Sequence, residues 1–132
     1  SDKLRVSFTF VSSHPAIGVQ YGDWIITPEV FETEIAPART LGFLHTFESL
    51  KKRGFALGGS LDIAVVVDEE KVLTPLRFED EVVRHKVLDV LGDISLLGSI
   101  CAHFVAVKSG HALNNKLARI LEEHPALFVC DK

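Results

Sequence analysis

Residues 79–91 read Glu79-Asp80-Glu81-Val82-Val83-Arg84-His85-Lys86-Val87-Leu88-Asp89-Val90-Leu91. Val82, Val83, Val87, Val90 and Leu91 recur at helical spacing, so this stretch predicts the strongest helix of the chain. Glu79, Asp80 and Glu81 fall in its first turn. The macrodipole favours acids there, which accounts for them without a site role. The flanking sequence supplies candidate strands. Leu4 to Val11 alternates apolar and polar residues, the pattern of a half-buried strand. Asp23 to Thr27 predicts a second strand, following a turn at Tyr21-Gly22. Ile63 to Val67 is a β-branched run bounded by Asp62 and Asp68, and Ala102 to Val107 is a further strand. Phe128 and Val129 suggest a last short one.

The other helices read more briefly. Phe43 to Lys52 places Phe43, Phe47 and Leu50 on one face and stops at Arg53-Gly54. Asn114 to Glu123 carries Leu117, Ile120 and Leu121 inward, with Leu113 just ahead of it. Pro28 to Ile35 is a short helical or irregular stretch. Ala36 to Thr40 is extended, because the residue before Pro37 is pushed away from the helical region. Strands and helices mix without strict alternation. The expected class is therefore α+β, a two-layer sandwich of a mixed sheet with two main helices.

The whole chain bounds the possibilities. Its 132 residues fit one domain over 1–132, long enough to bury a core. A net charge of -4 with no basic run argues against nucleic acid and against an anionic membrane patch. The longest apolar runs are too short for a transmembrane segment. Ser1-Asp2 and the residues after it show no apolar leader, so the expectation is a cytoplasmic protein without a signal peptide. Cys101 and Cys130 stand far apart and outside any metal-binding spacing, so they are expected as reduced, core-type thiols.

Two constellations could carry chemistry. His85 and Asp89 are four apart on the predicted helix and project from one face. An imidazole and a carboxylate at that spacing can share one Zn²⁺, or can form a simple i,i+4 pair. Lys108-Ser109-Gly110-His111 puts His111 near a helix N-terminus, as a local cap or as an acid at a cleft edge. Asp93, just past Gly92, is a loop carboxylate unless it faces His111, in which case it would orient the ring. His14, His45 and His103 have no such partner in sequence; His45 and His103 read as structural, and His124 as a solvated helix end. Glu32, Glu34 and Asp68-Glu69-Glu70 read as solvated faces or turns. Gly58-Gly59-Ser60 is a turn and not a phosphate loop, since no Lys-Ser/Thr follows.

Four stretches taken in order are more specific. They are Ala38-Arg39-Thr40-Leu41-Gly42-Phe43; Leu57-Gly58-Gly59-Ser60; Leu76 to Glu81 continuing through Arg84-His85-Lys86-Val87-Leu88-Asp89 and Leu91-Gly92-Asp93; and Lys108-Ser109-Gly110-His111-Ala112-Leu113-Asn114. Together they resemble the zinc-dependent UDP-3-O-acyl-N-acetylglucosamine deacetylases of lipid A biosynthesis, and specifically their second domain. The resemblance implies a β-α-β insert at about 43–67 and packing of the helix layer against that of a first domain. It implies His85 and Asp89 as two of three zinc ligands, with the third ligand and a glutamate base in the first domain. It also implies Thr40 and His111 in the catalytic site, with Asp93 as partner of His111. Lys86 would contact the substrate diphosphate, and Phe43, Ser60 and Val66 the acyl passage. Leu41 stands where the family commonly has an aromatic residue.

The implied activity is hydrolysis of the acetyl amide of a UDP-sugar, with this chain supplying part of the active site and incomplete alone. The rival expectation is a non-catalytic α+β domain or binding module whose His85–Asp89 is an ion pair. The apolar residues of the 79–91 helix spread over much of its circumference. The further expectation is thus a homodimer formed through the helix layer.

Overall fold

The computed structural model describes residues 2–54 and 64–127. Along the chain run β1 (Arg5–Val11), β2 (Val19–Ile25), a single turn α1 (Pro28–Val30) continued by a π-helical turn Phe31–Ile35, β3 (Thr40–Phe43) and α2 (Leu44–Lys52). They are followed by β4 (Ala64–Val67), α3 (Glu81–Ile94), β5 (His103–Val107) and α4 (His111–Glu123). The fold is α+β, as the sequence predicts. One sheet has the order β2-β1-β5, and a second pairs β3 with β4. β1 runs antiparallel to β2, with Val6 opposite Trp24, and parallel to β5, with Val6 opposite Phe104. The first sheet is therefore mixed.

The alternation of β1 decides which face takes the helix. Val6 and Phe8 are buried against Val83, Val87, Val90 and Ile94 of α3, with Phe10, Trp24, Phe104 and Ala106 around them. Arg5, Ser7 and Thr9 face away; Arg5 pairs with Asp23, and the Ser7 hydroxyl hydrogen-bonds His103 Nε2 at 2.7 Å. Valine is a mediocre helix former, so the four valines of α3 are there for burial and not for propensity. Each fully buried side chain of this size contributes roughly 1.5–3 kcal/mol.

The β3–α2–β4 unit matches the expected insert, starting at Thr40 rather than Phe43. β3 and β4 pair in parallel, Thr40 with Ala64 and Phe43 with Val67. Thr40 opens a strand where an extended loop was expected. All four residues of β4 are buried. Gly42 is required for packing: a Cβ there would lie 2.3 Å from the Phe47 ring. The turn expected at 58–60, the site expected at Ser60, the last strand at 128–129 and Cys130 fall outside the described residues.

Several expectations need correction. Tyr21-Gly22 is not a turn. β2 passes straight through it, and Gly22 is small because the Trp24 ring folds over it, 1.9 Å from where a Cβ would stand. The hairpin turns earlier, at His14–Gly18, with Gly18 at φ +60°. His14 is buried there and partnered: its Nε2–H donates to Asp68 O at 2.7 Å, and its Nδ1 accepts from Ala16 N at 3.1 Å. Cys101 is exposed, because it lies in the connection ahead of β5 and not in the core.

α3 also differs from expectation. It begins at Glu81 and continues three residues past Leu91, through Gly92 and Asp93, because Ile94 is buried in the core and anchors the added turn. Its apolar residues are covered by the chain itself. Val83 is fully buried, and Leu88 and Leu91 pack on the core. The open apolar surface of the helix layer lies instead on α4, at Leu113, Leu117 and Ile120.

Candidate active site

α3 uses one spacing twice: His85, Asp89 and Asp93 are four apart and climb one side of the helix. His85 Nε2 lies 3.3 Å from Asp89 Oδ1. Its other nitrogen is fixed, since Nδ1–H donates to Ala38 O at 3.0 Å. With Nδ1 so engaged, it is Nε2 that faces Asp89. Lys86 Nζ sits 4.0 Å from Asp89 Oδ2 and over the Phe10 ring.

α4 brings the second imidazole. After β5 the chain turns at Lys108, whose φ of +52° is left-handed and unusual for a side chain with a Cβ. Gly110 caps α4 and His111 opens it. His111 Nδ1–H donates to Asp93 Oδ2 at 2.7 Å, and its Nε2 points back toward Asp89 Oδ1 at 3.8 Å. Asp93 also accepts from Asn114 Nδ2 at 3.0 Å, and Asn114 Oδ1 accepts from the Ser109 hydroxyl at 2.7 Å. Asp93 is thus a helical carboxylate facing an imidazole, not a loop residue, and His111 is more than a cap.

Electrostatics separate the members of the set. The hydrogen bond to Asp89 raises the His85 imidazole above its usual value; burial opposes this, and the Ala38 contact adds to it. Burial alone would push the Asp89 carboxyl up, but the hydrogen bond and charge of His85, with His111 and Lys86 beyond, hold it below the usual range. Asp89 therefore stays ionised next to groups that can be cationic, which suits a metal ligand as well as an ion pair.

The remaining expected residues are dispersed. Thr40 opens β3, two residues after the Ala38 carbonyl that anchors His85. Phe43, at the far end of β3, is two-fifths exposed and lines an open cleft of about 470 Å³ with Ser12, His14, Pro15, His45 and Glu48. Val66 is fully buried in β4. His45 is exposed on α2, with its ring tilted against Phe43. His124 is exposed and bonds Ile120 O.

The donors fit two positions of a zinc site: an imidazole whose second nitrogen is anchored by a carbonyl, and an adjacent ionised carboxylate. Among the described residues, no group of three or more His, Cys, Asp or Glu is disposed to hold a metal ion. Two contributors escape a sequence reading. Asn114 is buried at the base of α4 and holds Asp93; it ends the fourth of the resembling stretches, but that stretch by itself gives it no role. Glu81, expected in a solvated first turn, is fully buried and ion-paired to Arg39 at 2.8 Å.

Comparison with known proteins agrees on a single family. The family model for UDP-3-O-acyl N-acetylglycosamine deacetylase matches residues 1–123. The UDP-3-O-acyl-N-acetylglucosamine deacetylase of Oleidesulfovibrio alaskensis is 52% identical over 131 residues, covering 97% of this chain and 43% of that protein. The enzyme of the same name from Syntrophotalea carbinolica is 53% identical over 117 residues, 86% of this chain and 38% of the relative. That of Myxococcus xanthus is 48% identical over 128 residues, with 95% and 41% covered. The chain spans about two fifths of the length of these relatives.

Proposed function

The chain belongs to the UDP-3-O-acyl N-acetylglycosamine deacetylase family, and from that premise we propose that it supplies part of the active site of a zinc amidohydrolase. The substrate would be a UDP-3-O-acyl-N-acetylglucosamine, and the reaction removal of the N-acetyl group in lipid A biosynthesis. The observation that carries this reading is the linked set His85–Asp89–His111–Asp93, in which each imidazole has one nitrogen anchored and the other turned toward Asp89.

His85 and Asp89 would hold the zinc ion, and a third ligand and the glutamate base would come from a first domain. Zinc, when bound, supplies Lewis-acid polarisation of the amide carbonyl and acidifies a water to a pKa of about 7. This chain's own residues take the following parts. His111, oriented through Nδ1 by Asp93, presents Nε2 to the reacting groups, where a proton on it would steady the developing oxyanion or pass to the leaving sugar amine. The Thr40 hydroxyl donates to the same oxyanion. The Lys86 ammonium offers a point charge to the diphosphate. Phe43 presents apolar surface to the acyl chain at the mouth of its cleft, whereas Val66, expected beside it, is fully buried in β4 and could act only by packing. The proposed setting is the cytoplasm, where a free thiol such as Cys101 stays reduced.

An i,i+4 ion pair without metal is the rival account of His85 and Asp89. Isothermal titration with zinc separates the two. The chain should bind one zinc weakly, with water or a neighbouring molecule completing the site, and Asp89→Ala should abolish that binding. Equal uptake by the variant would remove His85 and Asp89 as ligands.

A further inference from the structure

Glu81 is the least accessible charged group among the described residues, and it lies one helical turn before His85. Its carboxylate takes four N–H donors. Oε2 accepts from Arg39 N and Arg39 Nε, both at 2.8 Å. Oε1 accepts from Arg77 N at 2.8 Å and Arg39 Nη2 at 3.1 Å. The guanidinium of Arg39 continues to Pro75 O, and that of Arg77 to Pro37 O. The segment 37–39 is thereby fastened to the start of α3 by backbone as well as side chain.

The fastened segment carries two groups of the candidate site. The carbonyl immediately before Arg39, that of Ala38, receives the His85 Nδ1–H. The residue immediately after it, Thr40, opens β3. An imidazole turns about its Cβ and can donate from either nitrogen, so its tautomer depends on where the accepting oxygen is held. On the α3 side, Glu81 and His85 share one rigid helix at i,i+4 spacing. On the other side, the Arg39 amide and the Ala38 carbonyl flank a single peptide unit. The carboxylate thus sets the distance between the His85 ring and its acceptor through very few rotatable bonds.

We propose that Glu81 is a positioning residue. Through the Arg39 backbone it holds the Ala38 carbonyl that fixes the tautomer and ring orientation of His85, and it sets where Thr40 enters the site. This rests on the reading of His85 as a metal ligand only for its consequence, not for the clamp itself. Partners that anchor a ligating histidine typically change metal affinity 10–100-fold when altered.

The test uses the full chain, with Glu81→Gln against Val90→Ala, a core truncation on the same helix. Two quantities are measured: the ring ¹⁵N shifts of His85 without metal, and titration with zinc alone. At a pH above the His85 transition, where the ring is neutral, the wild type and Val90→Ala should show one tautomer with Nδ1 protonated. Glu81→Gln should show a mixture, with zinc affinity lower by at least tenfold. Should Glu81→Gln fail to fold, Arg39→Lys keeps the charge and the backbone donor but loses the fork, and should shift both readouts the same way by a smaller factor. Wild-type ring signals and zinc affinity in a variant that only melts earlier would overturn the proposal. Equal zinc uptake by wild type and Asp89→Ala would instead remove the metal reading, and the ring signals alone would then judge the clamp.

Discussion

Two carboxylate clusters sit on one helix and behave differently. At the start of α3, Glu81 has no solvent exposure and four donors, all from amides or guanidinium groups that keep their protons. Two turns and more along, Asp89 and Asp93 sit at the rim, and their main partners are imidazoles, the side-chain type that gains or loses a proton most readily near neutral pH. The first arrangement has one stable state, the second several. A fully satisfied buried carboxylate holds structure together, whereas a part-exposed carboxylate facing histidines is equipped for chemistry.

The contrast can be broken from either end. His111 is two-thirds exposed, so His111→Ala should leave the unfolding free energy within about 0.5 kcal/mol. In the whole enzyme it should lower kcat by about 100- to 10,000-fold, the usual range for a lost general acid or base, with KM nearly unchanged. Chemical denaturation beside steady-state kinetics checks both halves. Normal turnover would leave His111 a structural partner of Asp93 only.

Glu81→Ala should show the reverse weighting in stability, a loss of roughly 3–5 kcal/mol, because it takes the carboxylate from a largely buried ion pair and from the Arg39 and Arg77 amides. Its pH dependence follows from the sign of the shift. Burial pushes the Glu81 carboxyl up, but the hydrogen bonds and charge of Arg39 and the Arg77 amide outweigh it and hold the group below its ordinary value. A carboxyl lowered on folding stabilises above its unfolded value, about 4.3, and that stabilisation is lost as the pH falls through the folded value. The gap between wild type and Glu81→Ala should therefore be widest near neutrality and close on acidification, as read by denaturation at a series of pH values. A constant gap would mean that Glu81 acts through packing alone.

The smallest expected effect concerns a third kind of surface, one with neither clamp nor site. Leu113, Leu117 and Ile120 leave an apolar strip open on α4. The chain should self-associate through it, with apparent mass rising with concentration in sedimentation. Leu117→Lys should stay monomeric at a stability cost of about 1 kcal/mol or less. A wild type that remains monomeric at high concentration would show that this strip is too small to drive pairing.

Much of this is legible in the sequence where the signal is local. The α3 pattern, the β1 alternation and the His85–Asp89 spacing each lie within one element, and periodicity reads them directly. The end of α3 is not legible in that way, because Gly92 signals a stop and only the distant burial of Ile94 overrides it. Extending the four-residue spacing once more would have placed Asp93 on the helix. Tyr21-Gly22 misleads for a related reason: the glycine answers a ring two residues away, not a bend. Glu81 is the clearest failure. Nothing near it distinguishes a solvated first-turn acid from a buried one, since its partner Arg39 is 42 positions away.

The spacing of α3 is also a ruler. At 1.5 Å per residue, His85 and Asp93 are about 12 Å apart along the helix axis, and the 3.6-residue turn rotates each successive rung by about 40°. No single ion can be gripped by the first and last rungs together. Asp93 is thereby barred from the coordination sphere of anything His85 holds and reaches it only through the width of an imidazole. Moving that carboxylate one turn earlier would crowd the ion, and moving it one turn later would strand the ring of His111. On the proposed zinc reading, the distance along the backbone would divide two acidic side chains of identical chemistry into a ligand, Asp89, and an orienting group, Asp93.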